Sequence, residues 1–158
     1  MSEAIPSGNA TARKYAIIDL DGTCSNAERR KYLIDGSQKK DWDRFYDLCG
    51  EDQPHEDIRE LVKLLHAKGL YIAYLTGRVE RVRQQTVSWL FNHGFPEGSL
   101  QMRPDGDTRM DCIVKAEMAD RCGLTPANTF IVLDDRDQVV KMWRERGFRC
   151  LQVAEGNF

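Results

Sequence analysis

Five short strand-like runs, most of them apolar along nearly their whole length and separated by stretches of helical period, constrain this chain more than any other feature. The runs cover residues 15–20, 70–75, 100–103, 129–133 and 148–153. A strand with one wet face alternates apolar and polar residues, so a continuous apolar run is read as buried on both faces. Between the runs, residues 54–68 place Ile58, Leu61, Val62, Leu64 and Leu65 at helical spacing, with Pro54 as the opening residue. Residues 80–92 carry Val82, Val87, Trp89 and Leu90, and residues 108–122 and 138–146 complete the helical set. This alternation predicts an α/β chain: a mainly parallel five-stranded sheet with helices on both faces. Residues 14–158 read as one domain. The small, polar residues 1–13 read as a flexible tail, and the mixed, charged and aromatic residues 24–53 as a small insertion with at most short helices.

Composition narrows the function classes. No stretch approaches the roughly 20 apolar residues of a membrane span, and Met1–Ala12 lacks the apolar run of a signal peptide. A formal net charge of −2 gives no global basic field, so any contact with nucleic acid must be local. The five cysteines are odd in number, scattered and without a C-x-x-C pair, which argues against disulfides or a zinc site and suits a reducing cytoplasm. Cys24 lies near an acidic pair, but no histidine follows to activate it, and it reads as a small neutral filler.

Ligands of open α/β sheets bind beyond the carboxyl ends of the strands. The first run ends in Asp19-Leu20-Asp21-Gly22-Thr23, two carboxylates two residues apart before a glycine turn. One can attack phosphorus while the other gives a proton to a leaving oxygen and then takes one from water. Alone, the motif is equally compatible with a turn bearing two solvated aspartates. Asp134-Asp135 ends the fourth run, and adjacent carboxylates at a strand tip call for a cation, although an acidic helix cap explains one of them. With Asp19 they make an oxygen-rich set suited to Mg2+. Thr76-Gly77-Arg78 ends the second run and offers a hydroxyl and backbone N–H groups to phosphate oxygens; Lys115 adds a fixed positive charge.

These motifs, Asp19-Leu-Asp21-Gly-Thr, Thr76, Lys115 and Asp134-Asp135, resemble in order and placement the four motifs of the haloacid dehalogenase (HAD) superfamily. A narrower resemblance, covering nearly everything after residue 14, is to the 3′-phosphatase domain of bacteriophage polynucleotide kinases. It rests on residues 106–115 (GDTRMDCIVK), 133–143 (LDDRDQVVKMW) and the ending 152–158 (QVAEGNF). The resemblance implies a HAD-like Rossmannoid three-layer sandwich with a small flap or minimal cap. It implies Asp19 as the nucleophile of an aspartyl-phosphate mechanism and Asp21 as general acid/base. Thr76 and Lys115 would hold the phosphoryl group, with Asp111 orienting Lys115. Magnesium would be bound by Asp19, by Asp135 and by the main-chain carbonyl of Asp21, with Asp134 in support. Arg30, Gly77, Arg78 and Arg103 fall where the family binds substrate, the arginines steering phosphate or nucleotide.

The implied substrates are phosphorylated DNA or RNA ends, with free nucleotides or other small phosphomonoesters as the alternative and a non-catalytic phosphate-binding module as the third reading. A phage-encoded protein acting in the host cytoplasm beside a separate kinase or ligase fits the same resemblance. These 158 residues contain no G-x-x-x-x-G-K-[ST], so a 5′-kinase activity is not implied. The stretch from Lys39 to Tyr46 departs from the family pattern. Trp42, Arg44, Phe45 and Tyr46 there either stack on a base or anchor the insertion to the core.

Overall fold

The computed structural model describes residues 14–36 and 39–158, so the tail expected over residues 1–13 lies outside the described residues. Strand β1 (Tyr15–Ile18) leads into a two-stranded antiparallel ribbon, β2 (Ser25–Asn26) with β3 (Gln53–Pro54). The ribbon brackets two short helices, α1 (Glu28–Lys31) and α2 (Trp42–Asp47). Helices and strands then alternate: α3 (Glu56–Ala67), β4 (Tyr71–Val79), α4 (Arg83–Asn92), β5 (Gly98–Arg103), α5 (Asp111–Arg121), β6 (Thr129–Asp134), α6 (Asp137–Glu145) and β7 (Cys150–Gln152). The large sheet has the order β5-β4-β1-β6-β7, with every neighbour parallel. No described helix is long and apolar enough to cross a membrane.

Side-chain alternation along the strands divides the core in two. Ile17, Ala73, Leu75 and Val132 face α5 and α6, meeting Val114, Met118, Val139, Val140 and Trp143. Ala16, Ile18, Ile72, Tyr74 and Leu133 point the other way, towards Val62 of α3 and Trp89 and Leu90 of α4. This is the three-layer sandwich expected. Burial on both faces explains why the central strands carry no polar positions before their tips.

The boundaries differ from the sequence expectation where local rules meet tertiary structure. Pro54 does not open α3; it belongs to β3, pairs with Ser25, and the helix starts at Glu56 after His55. β4 runs past Leu75 to Val79, its pairing with β5 resuming at Val79 after an irregularity. Two residues read as core, Leu64 and Val87, are 65% and 49% exposed. Each sits on the outer side of a helix whose other side already fills the sheet.

The strand order reverses at β1, because the chain passes first to β4 and β5 and then returns to β6 and β7. Crossover connections leave a crevice at such a point. The tips of β1, β4 and β6 therefore open into one cleft.

Candidate active site

The floor of the cleft is a buried cluster of charges contributed by three elements. Asp19 follows β1, and its backbone N–H donates to the Leu133 carbonyl at 3.0 Å, tying the tip of β1 to β6. Lys115 of α5 reaches across to donate to Asp19 Oδ1 at 2.6 Å and to Asp134 Oδ2 at 2.9 Å. Thr23 Oγ1 donates to the other Asp19 oxygen, Oδ2, at 2.9 Å. Asp111, in the first turn of α5, lies 3.5 Å from the Lys115 ammonium. Burial pushes Lys115 towards neutrality, but Asp134, Asp19 and Asp111 outweigh it and hold the ammonium charged, its pKa well above the ordinary lysine value. Burial, with Asp134 and Asp135 close by, raises Asp19 well above the ordinary carboxylate range against the opposing pull of Lys115. Burial and the Asp134 charge push Asp135 up to about 6.

The second carboxylate of the pair, Asp21, sits in a different environment. Arg78 donates to its Oδ1 through Nε at 3.0 Å and Nη2 at 2.7 Å; Arg30 Nη2 does so at 2.5 Å and Ser25 Oγ at 3.1 Å. Burial acts to raise Asp21, but Arg78 and then Arg30 overcome it and hold the carboxyl far below its usual range. Arg30 is anchored in turn by Asp52, with Nε to Oδ1 at 2.9 Å and Nη2 to Oδ2 at 2.6 Å, and by the Phe45 carbonyl at 2.8 Å. Arg30 and Arg78, at 1% and 0% exposure, thus spend their guanidinium groups on Asp21 and its surroundings instead of opening into the cleft.

Within β4, Thr76 is fully buried and its Oγ1 accepts from the Arg78 backbone N–H at 3.1 Å. Gly77 lines the cleft beside it. A Cβ at Gly77 would come within 2.6 Å of Asp111 Oδ1, so only glycine lets the strand pass this close to the start of α5. Arg103 holds Asp111 Oδ1 at 3.0 Å and also donates to the carbonyls of Gly77, Asp107 and Arg109. It is buried and stitches β4 to the approach to α5, with a single edge reaching the cleft.

Several residues at this site are given no role by the sequence reading. Thr23 and Ser25 bond the paired aspartates, and Asp52 anchors Arg30 from the far end of the insertion. The threonine was visible as the last residue of the D-x-D-G-T motif; nothing local marks Asp52. The cleft as a whole has a volume of about 490 Å³, and above the floor it is walled by Trp42, Phe45 and Tyr46 of the insertion and by Arg136 and Phe158. Phe45 and Tyr46 are buried and Trp42 is partly buried, so two of these three rings anchor the insertion.

Asp19, Asp134 and Asp135 each place a carboxylate oxygen within 4.8 Å of the others. Three buried carboxylates against one bonded ammonium leave an excess of negative charge, and an all-oxygen donor set fits a hard dication such as magnesium. The turn after Asp21 reinforces this fit. Gly22 has φ +83°, and a Cβ on it would collide with Asp135 Oδ2, so a side-chain-free residue is needed to let the Asp135 carboxylate pack against the turn.

The chain is similar to known proteins along most of its length. A virus protein provisionally described as a bifunctional polynucleotide kinase/RNA ligase, from Autographa californica nuclear polyhedrosis virus, is 27% identical over 143 residues, covering 89% of this chain and 19% of that protein. A chain in the solved Pnkp1/Rnl/Hen1 RNA repair complex superposes with a TM-score of 0.78 at 29% identity, covering 95% of this chain and 45% of that one. A class C acid phosphatase from Bacillus anthracis, with tungstate bound, shares the fold at a TM-score of 0.60 and 17% identity, covering 78% of this chain and 52% of that one. The chain therefore spans less than half the length of the viral protein and of the repair-complex chain. The family model for the polynucleotide kinase PNKP phosphatase domain matches residues 13–158, and the chain belongs to that family.

Proposed function

We propose that this chain is a magnesium-dependent phosphomonoesterase that removes 3′-phosphates from nucleic-acid ends through an aspartyl phosphate on Asp19. The observation that carries the reading is the Lys115 ammonium bonded to Asp19 Oδ1 at 2.6 Å inside the carboxylate cluster, with Asp21 facing the same cleft. A nucleophilic carboxylate needs its own charge and that of the incoming phosphate offset, and a buried lysine does this without reorganising water. Asp19, Asp134 and Asp135 are the residues that would hold the cation, aided by the Asp21 main-chain carbonyl. When bound, the cation would lower the negative charge on the phosphoryl oxygens.

In the first step an Asp19 oxygen attacks phosphorus, the bond from phosphorus to the sugar 3′-oxygen breaks, and that oxygen takes a proton from Asp21. Asp21 rests ionised beside Arg78 and Arg30, so the proton it passes on is one it takes up from solvent or from the phosphate monoanion as the substrate binds, the approaching anion favouring the protonated form. In the second step Asp21 takes a proton from water, which attacks the same phosphorus and frees the Asp19 carboxylate and inorganic phosphate. Thr76 and Gly77 shape the phosphoryl pocket. Arg30, Arg78 and Arg103 act through Asp21 and Asp111. The kinase and ligase descriptions of the relatives support a setting in which this activity prepares ends for joining, in the same polypeptide or beside a partner.

The test is phosphate release from a 3′-phosphorylated oligonucleotide, a 3′-mononucleotide and a 5′-mononucleotide, with and without magnesium. The oligonucleotide should be turned over best, and Asp19→Asn should abolish turnover of all three while circular dichroism stays unchanged. Full activity in Asp19→Asn would refute the covalent mechanism; preference for the 5′-mononucleotide would refute the 3′-end assignment and favour a nucleotide phosphatase.

A further inference from the structure

A phosphoryl group fills only a small part of the cleft, whose volume of about 490 Å³ falls in the range that encloses whole organic ligands. The remaining wall has a particular chemistry. On one side stands Trp42, resting on Tyr46 with ring centroids 5.9 Å apart at 26°. Phe45 meets both rings edge-on and is itself buried. Tyr46 and Phe45 secure the insertion; Trp42 packs against the same cluster but keeps part of its indole exposed in the cleft it lines. On another side lies Phe158, with the Lys31 ammonium and the Arg136 guanidinium each 5.1 Å from its ring centre. Lys40 stands 5.6 Å from the Trp42 ring. Aromatic faces interleaved with cations, continuous with a phosphate-sized floor, are what a single-stranded nucleic-acid end requires.

We infer that the outer cleft is a subsite for the terminal nucleobase, with Trp42 as its stacking platform and Lys31 and Arg136 facing the phosphodiester that follows. This rests on the 3′-end reading above and adds a substrate feature to it: the enzyme reads the last base as a flat ring, without regard to its identity. Arg136 suits the second part of the task. Its Nε is held by the Phe158 carbonyl at 2.7 Å, while Nη1 stands 3.8 Å from Asp111, beyond a hydrogen bond. The fork is therefore oriented from behind with donors to spare.

The first measurement uses the unaltered protein and two 3′-phosphorylated oligonucleotides that differ only in whether the terminal nucleotide carries a base. Base stacking is worth about 1–3 kcal/mol, so kcat/KM should favour the base-bearing end by about 5- to 150-fold, mostly through KM. In Trp42→Ala that ratio should fall towards one, and Trp42→Phe should restore much of it. Glycerol phosphate, an aliphatic ester with nothing to stack, provides the reference for the phosphatase reading itself. A ratio near one in the unaltered protein, or one unchanged in Trp42→Ala, overturns the subsite while leaving the 3′-phosphatase intact. Turnover of glycerol phosphate with neither oligonucleotide cleaved instead overturns the 3′-end reading.

Fluorescence gives a readout without turnover. Trp89 and Trp143 are 2% and 0% exposed, so quenching by an added oligonucleotide reports Trp42. Asp19→Asn mixed with the base-bearing oligonucleotide should be quenched, and with the abasic one much less. Equal quenching by both discards the stack, whatever the variants at Trp42 do to folding.

Discussion

Arg78 clamps a single oxygen of Asp21, with Nε at 3.0 Å and Nη2 at 2.7 Å from the same Oδ1. Arg30 and Ser25 converge on that oxygen too, and among the described residues no donor reaches Oδ2. One oxygen of the carboxylate is saturated; the other is left to the cleft. The clamp thus fixes Oδ2 as the unengaged oxygen and keeps the group ionised.

Removing the clamp should therefore cost both stability and rate. Arg78→Met leaves Asp21 with Arg30 as its one remaining cation in a buried setting. Breaking a buried pair from one side costs about 3–5 kcal/mol, and the retained Arg30 places the expected loss near the lower figure. Urea denaturation measures it. Turnover should fall by about 10²-fold or more, the scale of a misplaced general acid/base. A variant of undiminished stability would mean that the buried pair is replaceable by an apolar side chain at no cost.

Asp52 should matter although it touches no cleft atom. Asp52→Ala strips Arg30 of its bidentate partner and should destabilise on the same scale, whereas Asp52→Asn keeps one acceptor and should lose less. Thermal melts of the two variants side by side separate the cases. Equal, negligible losses would show that the Phe45 carbonyl and Asp21 suffice to hold Arg30.

Gly22→Ala should weaken metal binding more than it weakens the fold. The new methyl would need the space of Asp135 Oδ2 in a backbone conformation that alanine resists, so the carboxylate must move. Displaced supporting groups at metal sites cost about 10- to 100-fold in affinity. Titration of activity with magnesium should show the shift, and an unchanged midpoint would remove Asp135 from the ligand set.

The same cluster predicts a pH dependence for the metal-free protein. Asp135 is raised from 3.8 to about 6, and Asp19 is raised as well. Between those values the native state binds more protons than the unfolded chain, so stability falls as pH rises through the window. Asp21, held low by its arginines, acts in the opposite sense, its contribution being lost only as pH drops below the ordinary carboxylate value. In EDTA the melting temperature should thus be higher at pH 5 than at pH 7, and added magnesium should raise it more at pH 7. A melting temperature that rises with pH in EDTA would contradict the crowding of the three carboxylates.

Much of this arrangement was legible before any coordinates. The doubly buried strands announce themselves as continuous apolar runs, and their order brings Asp19, Asp21, Gly77, Lys115, Asp134 and Asp135 to one edge of the sheet. Side-chain environment was harder to read. The resemblance implies that Arg30 and Arg78 steer phosphate or nucleotide, whereas the fold buries both against Asp21, an environment that sequence seldom signals because arginine is almost never fully buried. The ribbon of β2 and β3 is two residues per strand, too short to leave a period, and this is why Pro54 read as the start of a helix. Leu64 and Val87 show that helical spacing identifies a face without telling how much of it a neighbour covers.

The ribbon closing the insertion has an evolutionary consequence. Both of its feet are pinned, by the pairing of Ser25 with Pro54 and of Asn26 with Gln53, and Arg30 and Asp52 just inside it complete the grip on Asp21. Lengthening a closed loop is thermodynamically cheap, about 0.6 kcal/mol for each doubling. Descendants of this chain can therefore vary the stretch between α1 and α2 to suit new ligands, but cannot trim the insertion back to its base without releasing Asp21 from Arg30.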